Sequence, residues 1–184
     1  MSGKKLPGDQ LQTESGRREQ LARALDASPQ DTALVLQLIV SLASENDFEA
    51  AEQGIAALND PAARAEGWLL LSRIHRAMQR WSLALAAIES AQQYQPQSHA
   101  LRLEHALILG EQSRLEESLH ELQALARDAG DSPELIAHLA QVLQAAGRTQ
   151  EAETRLETAI RRWPTHAQLH QLLARLRWRR GLGE

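Results

Sequence analysis

Residues 133–166 read PELIAHLAQVLQAAGRTQEAETRLETAIRRWPTH, and residues 65–98 read AEGWLLLSRIHRAMQRWSLALAAIESAQQYQPQS. Overlaid, they agree position by position. Trp68 falls on Ile136, Leu71 on Leu139, Ser72 on Ala140, Ala84 on Ala152, Ile88 on Leu156, Ala91 on Ala159 and Pro96 on Pro164. Agreement at so many independent positions over a fixed period of 34 residues signals an array of repeats, not one irregular globule. Within each stretch the apolar residues form two blocks at helical spacing, such as Leu135, Leu139, Val142, Leu143 and then Ala152, Leu156, Ala159, Ile160. The turn Ala146-Gly147-Arg148 separates them. Small residues at positions 8, 20 and 27 of the unit mark where helix backbones approach closely, since bulk there would overpack the contact.

The period extends outward in both directions. Unit 99–132 keeps Ala106, Leu109, Leu122 and Leu125 in register, although Arg102, His105 and Ser118 stand where apolar or small residues are expected. Unit 32–64 carries Val35, Leu38, Leu42, Phe48, Ala51, Ile55 and Leu58 and is one residue shorter. Asp60-Pro61 and Ser132-Pro133 each put a capping side chain before a proline at the first helical position, where its missing N–H costs nothing. Glu19 to Pro29 reads as a preceding half-unit, with Leu21, Ala24 and Pro29 in phase. Residues 167–180, with Leu173 and Ala174 in phase, read as a capping helix. The expected organisation is a disordered tail over 1–13 and one repeat domain over 14–180, with units 32–64, 65–98, 99–132 and 133–166.

Composition agrees. Among 184 residues there are 30 Ala and 31 Leu but only 3 Val, and aromatic residues make up 3%. Strands favour β-branched and aromatic residues, so a sheet-rich fold is excluded. With no cysteine there are no disulfides, thiolate metal sites or thiol nucleophiles. The N-terminus lacks the apolar run of a secretory signal, and no stretch approaches the ~20 apolar residues of a membrane span. These features lead us to expect a soluble, cytoplasmic protein with no membrane partner.

The chain resembles bacterial-type tetratricopeptide-repeat proteins on the residues just quoted, from about residue 20 to residue 178. The resemblance implies an all-α, right-handed superhelix of about four helix pairs between half-repeats. It implies a non-catalytic protein-interaction module whose A helices line a concave groove. By resemblance the groove-facing positions include Leu36, Val40, Leu69, Arg73, Arg76, Leu103, Leu107 and Gln141. An apolar groove of exposed leucines would take a hydrophobic peptide or an amphipathic helix anchored at i, i+3, i+4, i+7. Where family members clamp a peptide's terminal carboxylate with Lys and Asn, this sequence departs from the pattern, so that specificity is not carried over. The groove could instead be filled by the chain's own segment around Leu6 and Leu11, or by a second copy in a homodimer.

No catalytic constellation outweighs its structural explanation, and no cofactor or metal is expected. His166 and His170 share a helix face but lack a third ligand nearby. His75 and His105 occupy usually apolar positions and read as packing histidines, and Trp68 reads as core. No glycine-rich phosphate loop is present. Arg175, Arg177, Arg179 and Arg180 beside Trp178 are the vocabulary of nucleic-acid contact. Residues 29–160, however, carry 9 basic and 19 acidic side chains, and that acidic body would repel a long polyanion. A competing reading makes the chain the front of a larger enzyme, since residues 166–178 resemble the repeat segment before an iron- and 2-oxoglutarate-dependent oxygenase. The iron ligands such a domain needs are absent here.

Overall fold

The computed structural model describes residues 32–181, together with Gly16, Glu19, Ala22, Arg23 and Asp26, which are helical. The expected tail over 1–13, and Leu21, Ala24 and Pro29 of the preceding half-unit, lie outside the described residues. Among those described there are helices and turns and no strand. The helices are α1 Thr32–Ser44, α2 Phe48–Ala57, α3 Pro61–Ala77, α4 Trp81–Gln92, α5 His99–Glu111, α6 Leu115–Ala129, α7 Pro133–Ala145, α8 Thr149–Arg162 and α9 Ala167–Gly181. They pair as α1 with α2, α3 with α4, α5 with α6 and α7 with α8, and α9 packs on α7 and α8. This is the all-α helical-repeat fold that the period predicts. The chain divides into two compact units, one ending at Ser98 and the other beginning at His99.

The caps form as expected. Asp60 accepts hydrogen bonds from the amides of Ala62 and Ala63, and Ser132 Oγ accepts one from Leu135. The turn inside each pair is more regular than the sequence shows. Asn46, Gln79, Ser113 and Gly147 stand at the same position of the four units, and all have positive φ, from 58° to 76°. Each closes its helix the same way. The Gln79 amide reaches the Arg76 carbonyl at 2.9 Å and the Arg80 amide reaches the His75 carbonyl at 2.9 Å, and the other three turns repeat both bonds. This is a Schellman ending, which caps orphaned carbonyls and pays for a left-handed residue with hydrogen bonds. Only one of the four is glycine.

In the first unit the core is built from Val35, Ile39, Leu42, Ile55, Leu58 and Leu71. Gly67 is required by close approach, because a Cβ there would lie 2.9 Å from Ile55 Cγ1. Trp68 is half-buried and lies against this core, not inside it as expected. The second unit is centred on Leu122, Leu139, Leu143, Leu156 and Leu169. The three departures in unit 99–132 have structural reasons. Ser118 is buried and donates to the Ala106 carbonyl at 2.6 Å, Arg102 pairs with Asp128 at 2.7 Å, and His105 meets Glu121 at 2.9 Å.

His75 is buried, and its ring centre lies 4.6 Å from that of Phe48. Its Nδ1 has no hydrogen-bond partner among the described residues. Burial, and then the nearby Arg80 charge, hold the imidazole below its ordinary pKa. The unfolded chain therefore takes up the proton first as pH falls. The stability tied to neutral His75 is complete above an ordinary histidine pKa of about 6.5 and is lost as pH drops through it toward the lower folded value. His75→Leu should flatten the loss of stability between about pH 7.5 and 5.5, read from urea midpoints. Equal slopes in the two proteins would contradict the assignment.

Candidate partner-binding site

The residues expected to line a groove are distributed over both units, and their burial divides them. In the first unit Leu36 is 7% and Leu69 is 9% exposed. The expected stripe of exposed leucines is therefore corrected at both positions. Leu36 belongs to the core with Val35 and Ile39. Leu69 lies on α3, which packs on α1, α2 and α4 and so keeps little free surface. Val40 and Arg76 are half-buried and Arg73 is exposed, and both arginines have interaction partners.

In the second unit Leu103 and Leu107 lie one turn apart on α5 and are both half-buried, while Gln141 on α7 is exposed. Leu103 touches the core from its edge and borders an open cleft of about 250 Å³. Ala100, Leu125 and Leu135 supply its other apolar walls, and the turn at Gly130 closes one end with φ 82°. Beside it the Arg102–Asp128 pair fixes the adjoining surface. The guanidinium donates to Asp128 and holds that carboxyl below the usual range, against a smaller opposing effect of desolvation. The cleft can accept one apolar side chain of a ligand, with polar groups at its rim. The second wall, from α6 and the start of α7, was not legible in the pattern of A-helix positions alone.

The histidine pair on the last helix does not converge. His166 Nε2 is 3.6 Å from Glu134 Oε1, whereas His170 Nε2 is 2.7 Å from the Pro164 carbonyl. Among the described residues no three His, Asp or Glu side chains come together to hold a metal. No described helix is long and apolar enough to cross a membrane. On α9, Leu169, Leu172, Leu173 and Leu176 are buried, Ala174 is exposed, Trp178 is 70% exposed, and Arg177 pairs with Glu157 at 2.5 Å.

Tetratricopeptide-repeat family profiles match residues 69–133 and 109–176, which together run from α3 to α9. The chain belongs to the tetratricopeptide-repeat family. Solved structures of tetratricopeptide-repeat proteins share its fold. One is a thermophilic protein of Thermus thermophilus, 20% identical, covering 92% of this chain and 94% of that one with a TM-score of 0.59. YrrB, described as a tetratricopeptide-repeat protein with an unusual peptide-binding site, is 16% identical over 88% of this chain and 84% of its own, with a TM-score of 0.58. A protein of Parabacteroides merdae is 15% identical over 93% of this chain and 69% of that one, with a TM-score of 0.67. No curated protein matches in sequence.

Proposed function

We propose that the chain is a non-catalytic protein-interaction module that takes a hydrophobic peptide or partner helix on α5 of its second unit. The observation that carries this reading is Leu103, an apolar side chain left half-buried at the mouth of an apolar cleft that the core does not fill. Leu107 extends the surface by one turn, so a ligand helix would meet it with side chains at i and i+3 or i+4. Membership of a family of stacked helical repeats supports the reading, since such proteins present helix faces to partners. A bound leucine or phenylalanine would gain about 1.5 to 3 kcal/mol from burial in the cleft.

The test replaces Leu103 and Leu107 together with glutamate. Both side chains are partly exposed, so the far-ultraviolet circular dichroism should be unchanged. A partner purified from the native host on the wild-type chain should be lost on the double variant. Equal retention on both proteins would remove the site. Leu69 is unsuitable for this test, because glutamate at a buried position would destabilise the first unit whatever it binds.

A further inference from the structure

The second unit contains another cavity, of about 380 Å³, on the opposite kind of helix. Its wall is the outer face of α8, where Thr154, Arg155, Thr158 and Arg162 follow one another at helical spacing. Asp131, from the turn before α7, and the Trp163 ring flank it, and Ile136 and Ala159 give it an apolar floor.

The charges are unbalanced. Glu151 also borders the cavity, but it is already committed to Arg148 at 2.7 Å. Arg155 is half-buried and pairs with no carboxylate among the described residues. Arg162 lies 4.7 Å from the centre of the Trp163 ring and has no carboxylate partner among them either. Two guanidinium groups thus face one uncommitted carboxylate, inside a stretch, residues 99–162, that holds 7 basic and 11 acidic side chains. Arg155 is half-buried without a partner among the described residues, which is costly, whereas Arg162 is exposed; a carboxylate can satisfy a guanidinium fork with two parallel bonds.

The threonines narrow the ligand further. Thr154 Oγ1 donates to the Gln150 carbonyl at 3.0 Å, and Thr158 Oγ1 donates to the Thr154 carbonyl at 2.9 Å. Their protons are spent, so each offers only lone pairs to the cavity. The wall therefore presents donors at Arg155 and Arg162 and acceptors at Thr154, Thr158 and Asp131. A phosphate diester or a free inorganic anion would satisfy the arginines but set its oxygens against the other three. An extended polypeptide bearing Asp or Glu has both halves of the complement, an anionic side chain and backbone N–H groups.

We infer that this cavity docks an acidic extended peptide segment of a partner protein, its carboxylate held by Arg155 and Arg162 and its backbone amides by Thr154 and Thr158. It shares no residue with the α5 surface except the turn residue Asp131, which borders both cavities, so either site can fail without the other.

The full chain, labelled with nitrogen-15, is titrated with a capped pentapeptide containing two glutamates. Saturable shifts are expected at the Trp163 indole and at the amides of Thr154 to Thr158. Changing both glutamates of the peptide to glutamine should weaken binding at least tenfold, and so should Arg155→Gln with Arg162→Gln in the chain. Thr154→Val with Thr158→Val should weaken the peptide while leaving the response to glutarate, which has no N–H, unchanged. If the arginine variant fails to fold, the glutamate and glutamine peptides on the wild-type chain decide alone. Equal binding of those two peptides, absence of shifts at the cavity, or displacement of the peptide by equimolar inorganic phosphate or single-stranded DNA would each overturn the assignment.

Discussion

Leu139→Ala is expected to lower the unfolding free energy by about 2 to 5 kcal/mol, while Leu103→Ala should cost well under half of that. Leu139 is 0% exposed and sits among Leu122, Leu143, Leu156 and Leu169, so its removal leaves a cavity that rigid neighbours on three helices cannot close. Leu103 is already open to solvent on one side, and alanine there mainly enlarges an existing cleft. The comparison uses the same substitution in the same unit, so differences in unfolded-state chemistry largely cancel. Urea unfolding measures it, and the midpoint should move with the slope unchanged. If both variants lost the same stability, Leu103 would be a core residue and the proposed binding surface would lose its basis. A change of slope would mean that the two units no longer unfold together, which repeat arrays permit because contacts run between neighbours.

The repeat itself was legible because its positions are constrained one at a time. A small residue is required where α7 meets α8, and the sequence shows Ala140 and Ala152 there, both at most 2% exposed. The caps were equally local, since Asp60-Pro61 and Ser132-Pro133 act within a single turn. What escaped the sequence depends on partners far along the chain, or on backbone shape without a marker residue. The left-handed turn was visible at Gly147 but not at Asn46, Gln79 or Ser113, because the hydrogen bonds that hold those three involve only main-chain atoms. The need for Gly67 is set by Ile55, twelve residues earlier on α2, whose Cγ1 lies 2.9 Å from the place of its Cβ. The groove positions were inherited from a pattern of A-helix faces, and that pattern says nothing of how far neighbouring helices cover Leu36 and Leu69. Arg80, Arg114 and Arg148 also recur at the period. Two of them meet a glutamate three residues on, Glu117 and Glu151, while Arg80 lies 5.1 Å over the Phe48 ring. The regularity is in the sequence, but the use of each arginine is set by what its own unit offers.

Ala84→Leu should be among the most damaging substitutions in the first unit, and the reason lies in a contact that two repeats build in opposite senses. Ser72 on α3 donates its hydroxyl to the Ala84 carbonyl on α4 at 2.9 Å. In the next repeat the roles reverse, and Ser118 on α6 donates to Ala106 on α5. All four side chains are fully buried. In these two repeats the contact thus sets one alanine against one serine, and either helix can carry the serine. Leucine at 84 adds three carbons to a space already filled, for which overpacking costs about 1 to 3 kcal/mol. Separating the helices also strands the Ser72 hydroxyl, and an unsatisfied buried hydroxyl adds about 1 to 3 kcal/mol. Ser72→Ala alone should cost only ~1 kcal/mol, since the carbonyl keeps its helical bond. The double variant should then be less destabilised than the sum of the two singles, because with Ser72 replaced no hydroxyl is left to strand. Ala86→Leu is the control, being exposed on the same helix, and should stay within about 0.5 kcal/mol of the parent. Thermal unfolding of the four variants decides the matter. An Ala84→Leu protein as stable as Ala86→Leu would show that the helices can part at this contact without penalty, and small residues at this period would then reflect helix propensity alone.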